Sequence, residues 1–129
     1  MTESYSISEL SKEFAVTART IRFYEEKGLI SPTRSGQDRV YHRRDHVRLH
    51  LILRGKRLGF SLADIEEMLR LYDQGDDQVE QLRVTLTKSQ DRIEALKQQR
   101  RDIDDAVNEL EQICVEIDSN LKEKGVISV

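Results

Sequence analysis

Arg19, Thr20, Arg22 and Tyr24 crowd one short stretch that opens at Thr17 and closes at Gly28. Guanidinium forks match guanine edges and phosphates, and hydroxyls match phosphate oxygens. Such a set grips a polyanion; it does not turn over a substrate. Further on, Arg34, Arg39 and Tyr41 flank the turn-forming run Ser35-Gly36-Gln37-Asp38. Arg54, Lys56 and Arg57 add more positive charge. These residues read as a DNA-facing surface: Thr17, Arg19, Thr20, Arg22 and Tyr24 on one helix, Arg34, Arg39 and Tyr41 on a hairpin, and Lys56 beyond.

Catalytic chemistry finds no support. Glu25 and Glu26 are adjacent, so they point in different directions and make no acid–base pair. No Ser/His/Asp or Cys/His spacing and no phosphate-cradling glycine loop is present. The chain reads as a non-enzyme with no cofactor. His42, His46 and His50 recur at one-turn spacing, which can hold zinc. Arg43, Arg44 and Arg48 lie among them and repel a cation, so the stripe reads as an exposed helix face. A closed thiolate metal site needs two or more ligands, and Cys114 is the chain's one cysteine. It reads as a buried structural cysteine, and no metal is expected.

Charge is split along the chain. Residues 1–60 hold twelve Lys/Arg against seven Asp/Glu, a net +5, and residues 61–129 hold nine against seventeen, a net −8. A basic front and an acidic rear suit a polyanion-binding head and a solvated, self-associating tail. Charged residues make up 35% of the 129 and aromatics 5%, too polar for one thick core. No apolar run can span a membrane and no secretion signal is visible at Met1, so a cytoplasmic location is expected. One cysteine also fits a reducing compartment.

The elements that must position the basic residues are short. Ser6 with Glu9 forms a capping box that opens a first helix, with Ile7, Leu10 and Phe14 inward. Ala15-Val16-Thr17 makes a tight turn, and Thr17 caps a second helix with Ile21 and Phe23 inward. Gly28 can stop it in the left-handed conformation. Pro32 and the Ser35–Asp38 turn predict a hairpin wing. A third helix is expected over 43–57, with Val47, Leu51 and Leu58 inward and Gly59 at its end. Ser61 caps a fourth over 62–72, with Ile65, Met68, Leu69 and Tyr72 on its apolar side and Gly75 as its stop.

Between Asp76 and Lys124 there is neither glycine nor proline. One heptad series runs Val79, Leu86, Ile93, Arg100, Val107, Cys114, Leu121, and a second runs Leu82, Ser89, Leu96, Ile103, Leu110, Ile117. Only Ser89 and Arg100 are polar among them. A 3.5-residue repeat sustained this far predicts a coiled coil, whose seam needs a partner helix. The expected dimer contacts are Val79, Leu82, Leu86, Ile93, Leu96, Ile103, Val107, Leu110, Cys114 and Ile117. The fold class is all-α with a small β-hairpin wing: a winged helix-turn-helix over 1–75, then a coiled-coil dimerisation helix and short tail over 76–129.

Ser6-Ile-Ser-Glu-Leu10, Thr20-Ile-Arg-Phe-Tyr-Glu-Glu-Lys-Gly-Leu29, Arg39-Val-Tyr41 and Leu58-Gly-Phe-Ser-Leu62 resemble, in order and spacing, the MerR family of bacterial transcription regulators. Leu53 to Leu62 and Leu71-Tyr-Asp73 look like its LiuR-type branch, tied to leucine and branched-chain acyl-CoA breakdown. The resemblance implies a homodimer through an antiparallel coiled coil, with a winged head at each end. It implies that Arg22 and Tyr24 grip phosphates, that Arg19 and Thr20 face bases, and that Arg39 and Tyr41 anchor the wing. It also implies binding to palindromic double-stranded operator DNA, which is bent and untwisted at a promoter used by RNA polymerase. The branch implies a small-molecule effector of acyl-CoA type. The wing departs from the family, with Gln37-Asp38-Arg39 in place of Gly-Tyr-Arg. Two other readings stand beside this one. One is a coiled-coil adaptor whose basic head binds nucleic acid of any sequence; the other is a thiol or metal sensor of the same fold.

Overall fold

A computed structural model of the chain describes residues 3–73 and 79–125. Its contacts divide the chain into two units, Met1–Lys88 and Ser89–Val129. The first holds β1 (Ser4–Tyr5), α1 (Ile7–Phe14), α2 (Ala18–Glu26), β2 (Thr33–Ser35), β3 (Asp38–His42), α3 (Arg43–Arg57), α4 (Leu62–Tyr72) and the start of α5 (Val79–Glu123). The second holds the rest of α5. Gly75 and the junction between residues 75 and 76 lie outside the described residues.

The starts of α1 to α4 follow from their caps. Ser6 Oγ accepts the Glu9 N–H while Glu9 accepts the Ser6 N–H, closing the capping box on α1. Thr17 Oγ1 accepts the Thr20 N–H at the head of α2, and Ser61 Oγ accepts the Asp64 N–H at the head of α4. Asp45 caps α3 through its first turn: one carboxylate oxygen accepts the His42 N–H and the other the Ser31 N–H, each at 2.9 Å. The α1–α2 turn puts Ala15 at φ 56, left-handed without a glycine. Its strain is offset where Ser11 Oγ donates to Val16 O and Val16 N–H donates to Ser11 O.

The hairpin forms as expected, with Ser35 opposite Asp38 and Thr33 opposite Val40 across a two-residue Gly36-Gln37 turn. Gly36 takes φ 67, as such a turn requires. A third strand was not foreseen: Ser4–Tyr5 pairs antiparallel with Tyr41 and His42, giving the order β1-β3-β2. Two residues are too few to show alternation, so nothing in the sequence announced β1.

Leu10, Ile21, Leu29, Ile30, Leu49 and Ile52 form one core with Tyr24, Tyr41, Ile65 and Leu69. Three inward assignments need correction. On α2, Tyr24 faces the core and Phe23 is 42% exposed. Tyr24 lies three residues from Ile21 and so shares its face, whereas Phe23 lies two away. On α3 the buried stripe is Asp45, Arg48, Leu49, Ile52 and Gly55. Val47 and Leu51 are only partly buried beside it, and Leu58 is 43% exposed. Two polar residues on the buried stripe hid its phase. On α4, Ile65 and Leu69 are buried and Met68 partly so, but Tyr72 is exposed.

α5 runs unbroken from Val79 to Glu123 with no buried residue. At 1.5 Å per residue it is about 68 Å long. Its heptad residues, among them Leu82, Leu86, Ile93, Leu96, Ile103, Val107, Leu110 and Ile117, are exposed in the single chain. Cys114 is exposed with them. Among the described residues no helix is long and apolar enough to cross a membrane.

Candidate nucleic-acid interface

The outer face of α2 begins at its cap. Thr17 Oγ1 is already engaged with the Thr20 N–H and lies 2.9 Å from Thr20 Oγ1, so the two hydroxyls form one polar rim at the helix start. Arg19 and Arg22 follow on the surface, both exposed and three residues apart on one face. Phe23 stands exposed beside them with Lys27 Nζ 5.5 Å from its ring. Lys27 was not among the expected contacts. Its spacing of one turn from Phe23 was the available signal.

Glu25 joins α2 to the wing. Arg39 Nε donates to Glu25 Oε2 at 2.8 Å, and Arg34 lies 3.8 Å from Glu25 Oε1. Arg39 therefore anchors the wing to the protein, half-buried, rather than reaching outward. Arg34 keeps its side chain 57% exposed at the wing's edge. Glu25 thus ties α2 to both strands of the hairpin. Adjacency of Glu25 to Glu26 concealed that role in the sequence.

Tyr24 and Tyr41 do not stand on this surface. Tyr41 is fully buried, and Tyr24 is 6% exposed. Burial raises the phenol pKa of both above its ordinary value. For Tyr41 the Glu25 and Asp45 carboxylates add to that rise, while Arg39 and Arg22 oppose it. The Tyr41 hydroxyl is buried with no hydrogen-bond partner among the described residues. Both tyrosines alternate with surface residues and were read as surface residues themselves; the core is what claims them.

Lys56 is exposed in the last turn of α3 with Arg54 and Arg57, at the negative end of the helix dipole. No described contact ties it to α2 or the wing. The histidine stripe is broken up. His42 Nε2 lies 2.9 Å from Thr33 Oγ1. His46 Nε2 lies 2.7 Å from Glu13 Oε2, and its ring stacks on Tyr5 with centroids 4.8 Å apart. Only His50 is an exposed face residue, so the reading of all three as solvated fails. The tertiary partners Glu13 and Tyr5 come from α1 and β1, which helical spacing alone cannot indicate. Among the described residues no group of three or more His, Cys, Asp or Glu could hold a metal ion.

The surface that results has exposed guanidinium and hydroxyl groups on a capped helix, with a basic hairpin pinned beside it. This arrangement suits a duplex groove and its flanking phosphates. Comparison with known proteins agrees. Residues 5–72 match the MerR HTH family regulatory protein model, and residues 47–113 match the MerR DNA-binding model. The HTH-type transcriptional regulator HmrR of Rhizobium leguminosarum bv. viciae is 32% identical over 108 residues, spanning 80% of this chain and 84% of that protein. The mercuric resistance operon regulatory protein of Shigella flexneri is 42% identical over 73 residues, 55% of this chain and 51% of that protein. The chain thus spans about half the length of that second relative. Among solved structures, HiNmlR, a MerR family regulator lacking the sensor domain and bound to promoter DNA, aligns with a TM-score of 0.65 at 24% identity, covering 96% of this chain and 97% of its own. PbrR691 of Ralstonia metallidurans CH34, in complex with lead(II), aligns with a TM-score of 0.54 at 26% identity, covering 78% and 84%. With its capped basic helix, its wing and these matches, the chain belongs to the MerR family of DNA-binding transcription regulators.

Proposed function

We propose that this chain acts as a homodimer on a palindromic promoter operator and regulates transcription by the DNA shape it stabilises. The observation that carries the reading is the pairing of exposed Arg19 and Arg22 on α2 with a wing pinned beside them through Glu25. Arg19 and Thr20 read base edges, and Arg22, Thr17, Arg34 and Lys56 hold phosphates. Arg39, Tyr24 and Tyr41 shape the surface from beneath. Residues 1–75 form the reading head and residues 76–129 the dimerisation helix and tail.

The exposed seam of α5 supports the dimer. Twelve large apolar residues from Val79 to Leu121 stand at least 36% exposed, far more than an isolated helix in water tolerates. A second copy running antiparallel covers that seam, buries Cys114 and places the two heads at opposite ends. The heads then meet half-sites about two helical turns, ~68 Å, apart. HiNmlR, of the same fold, was crystallised on promoter DNA, which supports the same partner here. Binding that bends and untwists the spacer would let RNA polymerase engage elements otherwise out of register. Control of leucine and branched-chain acyl-CoA breakdown rests on the Leu53–Leu62 and Leu71–Asp73 segments alone. One relative is named for mercuric resistance and PbrR691 was solved with lead(II), but this sequence has one cysteine, Cys114, and a closed thiolate site needs two or more ligands.

The test is an operator selection from random duplexes with the full chain, followed by footprinting. Recovery of an inverted repeat protected on both arms supports the reading. Recovery of no sequence preference supports the adaptor reading instead.

A further inference from the structure

Three arginines of α3 converge on the end of α4. Arg44 Nη2 lies 2.9 Å from Asp73 Oδ2, and Arg48 Nη1 is bonded to the same oxygen. Arg48 is 9% exposed at its side chain, and its Nε donates to the Leu29 carbonyl at 2.6 Å, so the guanidinium is held rigidly. Arg43 completes the wall of a cleft of about 280 Å³ whose remaining sides are Val47 and Tyr72. That size suits a small metabolite rather than a cofactor.

The charges here oppose their helices. Arg43 and Arg44 occupy the first turn of α3, at the positive end of its dipole. Asp73 is the C-cap of α4, at the negative end. Asp45, the one acid on α3, is buried and already holds the His42 and Ser31 N–H groups. Arg44 and Arg48 therefore share one carboxylate oxygen of Asp73, which its own helix disfavours there, and Arg43 lines the same cleft. An outside anion could be held by the same fork without that conflict. Planar paired donors of this kind favour carboxylates and phosphates.

We infer that this cleft binds a small metabolite bearing a carboxylate or phosphate. Its anion replaces Asp73 in the Arg44–Arg48 fork, and a short apolar portion rests on Val47 and Tyr72. Asp73 caps α4 at the end that leads into α5, so an anion that takes its arginines unties α4 from α3 at that point. The tethered carboxylate competes with any ligand at high effective concentration. Removing it therefore tightens binding.

Butyrate and inorganic phosphate, titrated separately into the full chain at ionic strength balanced with chloride, test this through amide shifts at Val47 and Tyr72. At least one probe gives a saturable shift that chloride does not. Asp73→Asn tightens that probe about tenfold, and Arg44→Gln, at an exposed side chain, weakens it about tenfold. Saturation by butyrate alone assigns a carboxylate ligand, and by phosphate alone a phosphate ligand. A response no larger than chloride's, or one that Arg44→Gln leaves unchanged, overturns the site. The measurement uses no DNA, so its failure leaves the operator reading untouched.

Discussion

Arg19 and Arg22 share a helix face yet carry different expectations. On the proposed reading Arg22 holds phosphate, so Arg22→Ala weakens binding on every duplex and lowers the salt slope by about one per head. Arg19→Ala instead relaxes discrimination at one base pair by about 1–3 kcal/mol. Competition binding against single-base operator variants separates the two effects. Tyr41 offers a third residue-scale prediction. Its buried hydroxyl has no partner among the described residues, so Tyr41→Phe removes a desolvated group costing about 1–3 kcal/mol. The melting temperature holds or rises, and operator affinity stays within twofold; a large loss of affinity would return Tyr41 to the DNA surface. At this scale the exposure of Arg19, Arg22 and Arg34 was legible, whereas the inward turn of Arg39, Arg48 and the two tyrosines was not. Arg39 and Arg48 are drawn in by acids on other elements, and a phenol is equally at home under a hairpin or on a phosphate.

Among elements, the α3–α4 contact depends on a missing side chain. A Cβ on Gly55 would sit 2.9 Å from Ile65 Cγ1 and 3.0 Å from Ile65 Cδ1. Ile65 is buried, so it has little room to yield. Alanine gains about 1 kcal/mol in helix propensity, but overpacking costs about 1–3 kcal/mol. Gly55→Ala is therefore destabilising by about 1 kcal/mol in chemical denaturation. A second contact fastens the start of α5: Lys88 Nζ lies 2.8 Å from Asp64 Oδ1 and 3.2 Å from Glu67 Oε2. The Lys88 hydrogen bond lowers the Asp64 pKa below 3.8, and the Asp64 hydrogen bond raises the Lys88 pKa above 10.5. The stability Asp64 contributes is present above its unfolded value and is lost as pH falls through its lowered folded one. The Lys88 contribution is present below 10.5 and is lost as pH rises through its raised folded value. The clamp therefore holds throughout the neutral range. Lys88→Met speeds amide exchange at the start of α5 at pH 7, and it removes the acid-induced change that the parent shows. Helix starts were legible because caps are local chemistry, as at Ser6, Thr17 and Ser61. The buried phase of α3 was not, since Asp45 and Arg48 find partners at Ser31, Leu29 and Asp73 that only tertiary structure supplies.

For the whole molecule, the coil seam and the reading surface are one claim: two heads at fixed spacing. A heptad this long was readable because its period outlasts any single substitution, Ser89 and Arg100 included. Leu96→Asp puts a charge in the seam, and sedimentation then finds monomer. The most direct test measures affinity of the full chain for its selected inverted repeat, for the same repeat with five base pairs inserted at its centre, and for random duplex, all at one salt concentration. Half a helical turn moves one half-site to the opposite face of the DNA. The intact repeat should bind at least about a thousandfold more tightly than random duplex. The insertion should forfeit most of that advantage. Equal affinity for all three duplexes would contradict the claim of two heads at fixed spacing.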